Sequence, residues 1–336
     1  LLRTIPNNTH ASLMRRYNWD VLDMVNINGR SLTSELVESI ELKGILKVTS
    51  NYDEGRRGQW RIIREYFPST DQPALVESYQ IINTGKNELA IELPQVNQKS
   101  MTDPKKGVTG SFCIETLTNK SGHFTLQPGE SLTFGASLLA YKEGEKAPLI
   151  DVQKEKGQRE ALVGELMNKL VLETPDPIID RMFAFSKIRG CESIYETKGG
   201  PMHGPGGESY YAAIWANDQA EYINPFFPFV GYEYGNASAL NSYLHFARFM
   251  NDEWKPIPSS IIAEGIDIWN GAGDRGDAAM IAYGASRYAL AKGSKQEAET
   301  LWPLIEWCLE YCRRQLNEGG VVASDSDELE GRFPSG

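Results

Sequence analysis

A change in the spacing of apolar residues near residue 174 constrains the fold of this chain more than any other feature. From about Tyr17 to Lys142, short strand-like runs such as QWRIIREYF (59–67) are separated by turn residues and show no helical period. From Thr174 onward, apolar residues recur every three to four positions, as on one face of an α-helix. The sequence therefore predicts an α+β chain, with an antiparallel β-sandwich first and helices after it.

The length of 336 residues is typical of about two domains. We place a β-sandwich domain at 1–145, a helical linker at 146–173 and a helical domain at 174–336. The charged segment at 143–160 (KEGEKAPLIDVQKEKGQR) indicates the start of the linker, because such a composition favours a connector over a buried element.

Five helices are predicted after residue 174. The first begins with Asp176 as N-cap and Pro177 at the first helical position. The second is short, from Asn217 to about Phe227, because we expect Pro225 and Pro228 to end it. The others span about 236–251, 275–291 and 294–317, the last opening with the capping box Ser294-Lys295-Gln296-Glu297.

The loops between these helices alternate in length. Those at 198–216 and 252–274 are long and rich in Gly and Trp, whereas the turn at 292–294 is minimal. Long loops in compact domains are usually functional. Alternation places all the long loops at one end of a ring of stacked helical hairpins, and we expect the functional site there.

Composition excludes several classes of partner. The net charge of −11, spread along the chain, argues against binding to nucleic acid or to an anionic membrane surface. The apolar runs are all shorter than the ~18 residues that a membrane span needs. We predict no cofactor and no metal ligand set. The chain begins without Met, so a signal peptide could have been removed, and a periplasmic or secreted location is favoured slightly over a cytoplasmic one.

The four cysteines are few and irregularly spaced, which argues against a disulfide scaffold or a metal knuckle. Cys308 and Cys312 lie four residues apart on a predicted helix. We interpret them as a buried thiol pair, with a redox or metal role as the alternative.

Carboxylates lie beside aromatic residues in three stretches: WANDQ (215–219), WNGAGDRGD (269–277) and SDSDELEGRF (324–333). An aromatic ring covers the apolar side of a sugar, while carboxylates and amides bind its hydroxyls. A carboxylic acid with a raised pKa can also protonate a glycosidic oxygen. These stretches therefore favour a carbohydrate ligand.

Each of these residues also has a simpler interpretation. Trp215 could be a core or domain-interface residue, and Asp218 could cap its helix. Capping could also account for Asp274 or Asp277. His203 is interpreted as a turn residue rather than a catalytic one. The remaining acidic cluster could be a solvated loop or a divalent-cation site, although it lacks the Gly and terminal Glu spacing of a calcium loop; it comprises Asp325, Asp327, Glu328 and Glu330.

The order of the three stretches resembles the glycoside hydrolases with an (α/α)6 barrel, the six-hairpin group that includes glucoamylases, trehalases and glycogen-debranching enzymes. YYAAIWAND (210–218) resembles their W-x-R-D segment, whose aspartate holds sugar hydroxyls. This likeness implies that Asp218 binds substrate, with Tyr211, Trp215 and Asn217 beside it. Asn217 stands where many relatives carry Arg, a cationic donor that this chain lacks at that position.

The second and third stretches extend the resemblance. IPSSIIAEGIDIWNGAGDRGDAAM (257–280) resembles the debranching-type segment before the fourth helix, which implies that Asp277 and Trp269 belong to the substrate site. In trehalase-like enzymes the general acid lies four residues before an Arg and an aromatic residue. That pattern selects Glu328, with Arg332 as a substrate-binding residue. Asp327 stands where the usual motif has Trp.

The resemblance implies an inverting glycosidase whose barrel is incomplete in this sequence, because five helices cannot close a ring of twelve. The general base would lie beyond Gly336, and the rest of the barrel would come from the same parent protein or another chain. We expect the present chain to expose an apolar helix face. The alternatives are a phosphorylase, a polysaccharide lyase or a sugar isomerase of the same fold, and a non-catalytic glycan-binding or scaffold protein.

Overall fold

The computed structural model describes residues 20–106, 110–197, 199–204, 213–262, 267–269 and 273–326. The chain divides into two compact units, one ending at Glu165 and the other continuing from Leu166.

The first unit contains two antiparallel sheets, which confirms the predicted β-sandwich. Their strands are β1 (Asn26–Ile27), β2 (Arg30–Ser31), β3 (Glu35–Leu42), β4 (Leu46–Asp53), β5 (Gln59–Pro68), β6 (Ala74–Asn83), β7 (Leu89–Leu93), β8 (Asn97–Met101), β9 (Phe112–Thr118), β10 (Gly122–Leu126) and β11 (Ser131–Lys142). One sheet has the strand order β10-β7-β1-β2, and the other has the order β3-β4-β5-β6-β11-β9-β8.

Apolar residues at alternate positions of the strands form the core between these sheets. In β7, Leu89, Ile91 and Leu93 are buried while the residues between them are exposed. They share a cluster with apolar residues of the larger sheet, where the rings of Tyr79 and Phe134 stack with centroids 4.9 Å apart. Such pairs stabilise a core beyond the area they bury.

The second unit is mainly helical. Its helices are α2 (Pro177–Glu192), α3 (Ala216–Asp218), a π-helix (Gln219–Ile223), α4 (Asn224–Val230), α5 (Glu233–Ala247), α6 (Asp277–Lys292) and α7 (Lys295–Arg314), after α1 (Val152–Asn168) at the boundary of the two units. The predicted N-caps of α2 and α7 are confirmed, because Asp176 accepts from the Ile178 amide (2.8 Å) and Ser294 from the Glu297 amide (3.3 Å).

The predicted end of the second helix near Pro225 and Pro228 is wrong, because helical structure continues to Val230. The π-helix widens the turn before Pro225, and the Asn224 amide bonds to the Gln219 carbonyl five residues back. Proline cannot donate to the carbonyl four residues earlier, that of Glu221. The side chain of Arg287 on α6 donates to that carbonyl instead, at 2.9 Å.

Short strands lie in the predicted long loops and directly before the first of them. They are β12 (Ile194–Thr197), β13 (Gly200–His203), β14 (Ala213–Trp215), β15 (Ser260–Ile262) and β16 (Asp267–Trp269). His203 lies at the end of β13, buried, with its ring edge against Phe227 at a centroid distance of 5.9 Å. The interpretation of His203 as a turn residue is therefore wrong.

Helix α2 presents an apolar stripe to solvent. Ile178 is 72% exposed and Met182 is 62% exposed, and Phe185 continues the stripe one turn later. Residues at this spacing share one face of a helix. Helix α2 therefore has an exposed apolar face, as the sequence predicts, and what covers it stays a prediction. No helix in the described ranges is long and apolar enough to cross a membrane.

Gly284 permits close packing of α6 against the π-helix. A Cβ at this position would lie 2.3 Å from the carbonyl oxygen of Ala220 and 2.4 Å from its Cα. Gly284→Ala should therefore destabilise the protein by about 1–3 kcal/mol, since the backbones must separate. The gain in helix propensity, about 1 kcal/mol, offsets only part of the cost, because the atoms that the Cβ would meet belong to the Ala220 backbone and cannot rotate away.

Urea denaturation measures this effect, with Gly164→Ala as the matched control. Gly164 is also inside a helix, but a Cβ there would contact nothing within 4 Å, so this variant should be stabilised slightly. Equal stability changes in the two variants would contradict the close approach of α6 and the π-helix.

Candidate functional site

A three-stranded antiparallel sheet brings together the two long loops. Trp215 in β14 pairs with Ser260 in β15, and Ser260 pairs with Trp269 in β16. Positions directly opposite one another in such a sheet belong to the same face, and neighbouring strands lie about 4.8 Å apart. The backbone therefore places the two predicted sugar-platform positions in one cross-strand row, on either side of Ser260.

Asp218 follows Trp215 by three residues, in the single turn of α3. Trp215, Asn217 and Asp218 are all half-buried. The hydroxyl of Tyr222 donates to Asp218 Oδ1 at 2.6 Å, one helical turn further on. Burial raises the pKa of Tyr222, and the Asp218 carboxylate raises it further. The Asp218 side chain makes no capping bond to the π-helix that follows it, so the capping interpretation gains no support here.

Ser259 connects this segment to Asp277. The Ala216 amide donates to the Ser259 carbonyl at 2.9 Å, and the Ser259 hydroxyl donates to Asp277 Oδ2 at 2.8 Å. Asp277 is the first residue of α6 and only 2% exposed, and Oδ2 also accepts from the Arg275 amide at 3.3 Å. Asp277 is thereby fixed to the residue that precedes Ser260 in the chain.

Asp274 joins the same loop to the segment 324–326. Its amide donates to Asp325 Oδ2 at 2.8 Å, and the Asp325 amide returns a bond to the Asp274 carbonyl at 2.8 Å. The Asp274 carboxylate accepts from the Gly276 amide at 3.0 Å and from the Tyr311 hydroxyl at 3.2 Å. Burial raises the pKa of Asp274, while these donors oppose the shift.

The capping interpretation therefore describes Asp274, whose carboxylate binds the amide just before α6. Hydrogen bonds and strand pairing connect the described parts of the three predicted stretches: 215–218 of the first, 259–260, 267–269 and 273–277 of the second, and 324–326 of the third. Tyr211, Glu328 and Arg332 lie outside the described residues, as does the side chain of Trp269. Their predicted roles stay predictions, as do those of Trp215, Asn217, Asp218 and Asp277.

Ser259, Tyr222 and Tyr311 contribute to the site but were not predicted from the sequence. Tyr222 could have been found, because a tyrosine four residues after an aspartate on a helix lies within hydrogen-bond reach. Ser259 and Tyr311 contact residues 18 and 37 positions away, and no local pattern marks such contacts.

Groups of three or more potential metal ligands are absent from the part of the chain that the structure describes. Cys308 is buried, and burial raises the pKa of its thiol, which confirms the interpretation of this cysteine as a buried thiol. Cys312 is only half-buried.

No family model matches the sequence, and no curated protein matches it. Among solved structures, one described as a candidate kojibiose phosphorylase from the human microbiome is similar, with a TM-score of 0.55 and 10% identity over 79% of this chain and 45% of that chain. A bacterial glucoamylase complexed with acarbose has a TM-score of 0.31 and 9% sequence identity, over 84% of this chain and 59% of that chain. A polysaccharide lyase has a TM-score of 0.21 and 10% sequence identity, over 79% of this chain and 57% of that chain.

The likeness to the first of these structures shows the fold alone, a β-sandwich followed by a helical part. The present chain spans less than half the length of that structure. The two lower scores support no structural argument.

Proposed function

We propose that this chain belongs to a carbohydrate-active enzyme that cleaves a glycosidic bond. The observation that carries the proposal is the convergence of three segments with the composition of a sugar site. The sheet aligns Trp215 with Trp269, Ser259 links that sheet to Asp277, and Asp274 binds the segment that leads to Glu328.

In the proposed hydrolysis, Glu328 donates a proton to the glycosidic oxygen as the bond to the anomeric carbon breaks. A second carboxylate takes a proton from water while the water oxygen bonds to the opposite face of that carbon. This course inverts the anomeric configuration and needs about 6.5–9.5 Å between the two carboxyl groups.

Substrate contacts are assigned to the segment around Asp218. Its half-buried carboxylate, held by Tyr222, would accept hydrogen bonds from sugar hydroxyls, with Asn217 beside it. Trp215 and Trp269 would cover the apolar side of the ring. Tyr211 and Arg332 complete the proposed subsite.

We also assign Asp277 a structural role, in addition to its predicted contact with sugar. A carboxylate that is 2% exposed and bonded to Ser259 holds the β15 backbone against the start of α6. It thereby fixes the sheet position opposite Trp215.

Phosphorolysis is the second candidate, because the similar structure with the TM-score of 0.55 is described as a phosphorylase. In that reaction phosphate replaces water as the acceptor. The described cluster contains Asp218, Asp274, Asp277 and Asp325 against Arg275, so its acidic balance disfavours an anion. We therefore favour water as the acceptor.

A screen of the full-length protein against defined oligosaccharides, with and without phosphate, tests the proposal. Phosphate-independent release of a sugar with inverted configuration, read by NMR, would support it. A sugar phosphate formed only when phosphate is present would indicate a phosphorylase. Unsaturated products absorbing in the ultraviolet would indicate a lyase, and glycan binding without turnover would indicate a non-catalytic binding protein.

Trp215→Ala should weaken substrate binding about tenfold, because it removes an aromatic face worth roughly 1–1.5 kcal/mol against a sugar ring. We expect KM to rise while kcat changes less, since stacking acts on the ground state and the transition state alike. The matched control is Trp302→Ala, an exposed tryptophan on α7. An unchanged KM in Trp215→Ala would assign this residue to packing instead.

A further inference from the structure

We propose that a cleft between α7 and the segment 250–254 binds a small organic cation, an ammonium or guanidinium group carried on an alkyl chain. The cleft has a volume of about 540 Å³, which is typical of small-molecule sites. Its lining residues differ from those of the candidate site around Asp218 and Asp277, so this inference is independent of the proposed function. It is called the α7 cleft below, and its lining includes Asp252, Trp254, Pro303, Glu306, Trp307 and Glu310.

Hydrogen bonds fix the two walls of the α7 cleft relative to each other. Trp307 on α7 donates from Nε1 to the Asn251 carbonyl at 3.1 Å. The Asn251 side chain accepts from the Lys255 amide at 2.9 Å and donates to the Lys255 carbonyl at 3.1 Å, so the loop that carries Trp254 is fixed at both ends. Trp254 has φ = +56°, which is unfavourable for a residue with a side chain, and residues held in this way cluster at ligand sites.

Apolar groups form much of the cleft surface. The ring of Trp254 stacks on that of Trp307, with centroids 5.3 Å apart, and Pro303 lies one turn before Trp307 on α7. Both indole rings have further partners, since Tyr311 stacks on Trp307 at 5.5 Å and the Arg314 guanidinium lies 4.2 Å from the Trp254 centroid. A sugar ring is best covered by an open aromatic face. These engaged rings instead suit an alkyl chain, which needs only an apolar surface to pack against.

Carboxylates give the α7 cleft the charge that favours a cation. The described residues that line it include Asp252, Glu306 and Glu310 but no lysine or arginine. Glu310 is already occupied, because it accepts from Arg313 at 2.6 Å and from Arg314 at 2.8 Å. Within the described parts of the chain, Asp252 and Glu306 form neither a hydrogen bond nor an ion pair. Carboxylates only accept hydrogen bonds, whereas ammonium and guanidinium groups only donate them, so a cation complements these two side chains.

Arg314 shows how such a ligand would be held. Its guanidinium lies over the ring of Trp254, while the Glu310 carboxylate accepts from its Nε. The cleft offers the same pair of chemical groups again, an indole at Trp307 and a carboxylate at Glu306. An alkylguanidinium would therefore place its charge on the unpaired carboxylates and its chain against the indole rings.

Titration with butylguanidinium, and with butylurea as a neutral probe of the same shape, tests this site. The indole N–H resonances of Trp254 and Trp307 report binding by NMR, and Trp254→Phe and Trp307→Phe assign them. Butylguanidinium should shift both resonances and bind about fivefold or more tightly than butylurea, because only the cation pairs with the carboxylates. Added salt should weaken binding of the cation and leave binding of the urea unchanged.

Substitution of the two carboxylates separates the α7 cleft from general attraction to an acidic protein. Asp252→Asn and Glu306→Gln should each weaken butylguanidinium binding about two- to fivefold without changing butylurea binding. The matched control is Glu299→Gln, an exposed residue of α7 outside the cleft lining, which removes the same charge and should bind as the wild type does. Asp252 and Glu306 are exposed, so both variants should fold.

Unshifted Trp254 and Trp307 resonances, or equal affinity for butylguanidinium and butylurea, would overturn the proposal. Equal weakening by Glu299→Gln and Glu306→Gln would also overturn it, because the cation would then respond only to the net charge of −11. Shifts of the same two resonances by maltose, without any response to butylguanidinium, would make the α7 cleft a sugar site instead.

Discussion

Glu328→Gln should abolish hydrolysis of natural glycosidic linkages, with a fall in kcat of about 10²–10⁴-fold. A positioned general acid contributes a factor of this size, and glutamine has similar shape but no proton to donate. Sugar binding should be largely unchanged, because we assign it to Trp215 and Asp218 and neither is altered.

An aryl glycoside with an acidic phenol as leaving group separates loss of the acid from general damage. Such a leaving group departs without protonation, so Glu328→Gln should retain much more of its activity on this substrate than on the natural linkage. Glu318→Gln, an exposed residue in the turn after α7, is the control and should behave as wild type on both substrates. Normal activity of Glu328→Gln on the natural linkage would show that another residue is the acid.

The parts of the fold that local patterns determine could be predicted from the sequence. The alternation in β7 predicts a strand with one buried face, and Asp176 and Ser294 predict where α2 and α7 begin. In each case the pattern lies within one turn or one strand, so a short segment is enough to recognise it.

The π-helix could not be predicted, because its cause lies outside the segment. Pro225 lacks the backbone N–H that would continue the helical hydrogen bonds, and within its own segment such a proline indicates the end of a helix. Arg287, 66 residues from Glu221, satisfies the carbonyl that is left, and the wider turn makes room for the ring. π-Helices are frequent at functional sites, and this one begins directly after Asp218.

The geometry of the candidate site was only partly predictable. Composition indicated which stretches are candidates for ligand binding, but the register that aligns Trp215, Ser260 and Trp269 depends on pairing between distant loops. The contact of Asp325 with Asp274 is likewise long-range, and the local sequence signal for it is Gly273. A glycine between two polar residues has too many interpretations to identify a contact in advance.

His203 shows the same limit for a single residue. Glycines and prolines around it predicted a turn, yet the chain pairs β12 with β13 and places the ring beside Phe227. The His203 carbonyl accepts from the Gln219 side chain at 2.7 Å, so this buried histidine supports the helix that follows Asp218. Burial lowers the pKa of His203 from 6.5 to about 4, and this shift has a measurable consequence.

Between about pH 6.5 and pH 4, unfolding should become easier as pH falls, because His203 binds a proton in the unfolded chain but not in the folded one. Stability should therefore decrease with acidification across this window. A pKa difference of this size corresponds to about 2 kcal/mol between pH 7 and pH 4.5. His203→Leu removes the titrating group and fills a similar volume, so its free energy of unfolding should fall by about 2 kcal/mol less than that of the wild type over the same interval.

Urea denaturation followed by helical circular dichroism, at pH 7 and pH 4.5, measures the difference. Burial also lowers the pKa of His245, but His245 is present in both proteins and its contribution cancels in the comparison. His123→Gln, at an exposed position on β10, should keep the pH dependence of the wild type. If His203→Leu lost stability as steeply as the wild type, His203 would titrate normally, and the ring could not be enclosed against Phe227. In that case β13 would stabilise the π-helix after Asp218 only through the hydrogen bond from the Gln219 side chain to the His203 carbonyl.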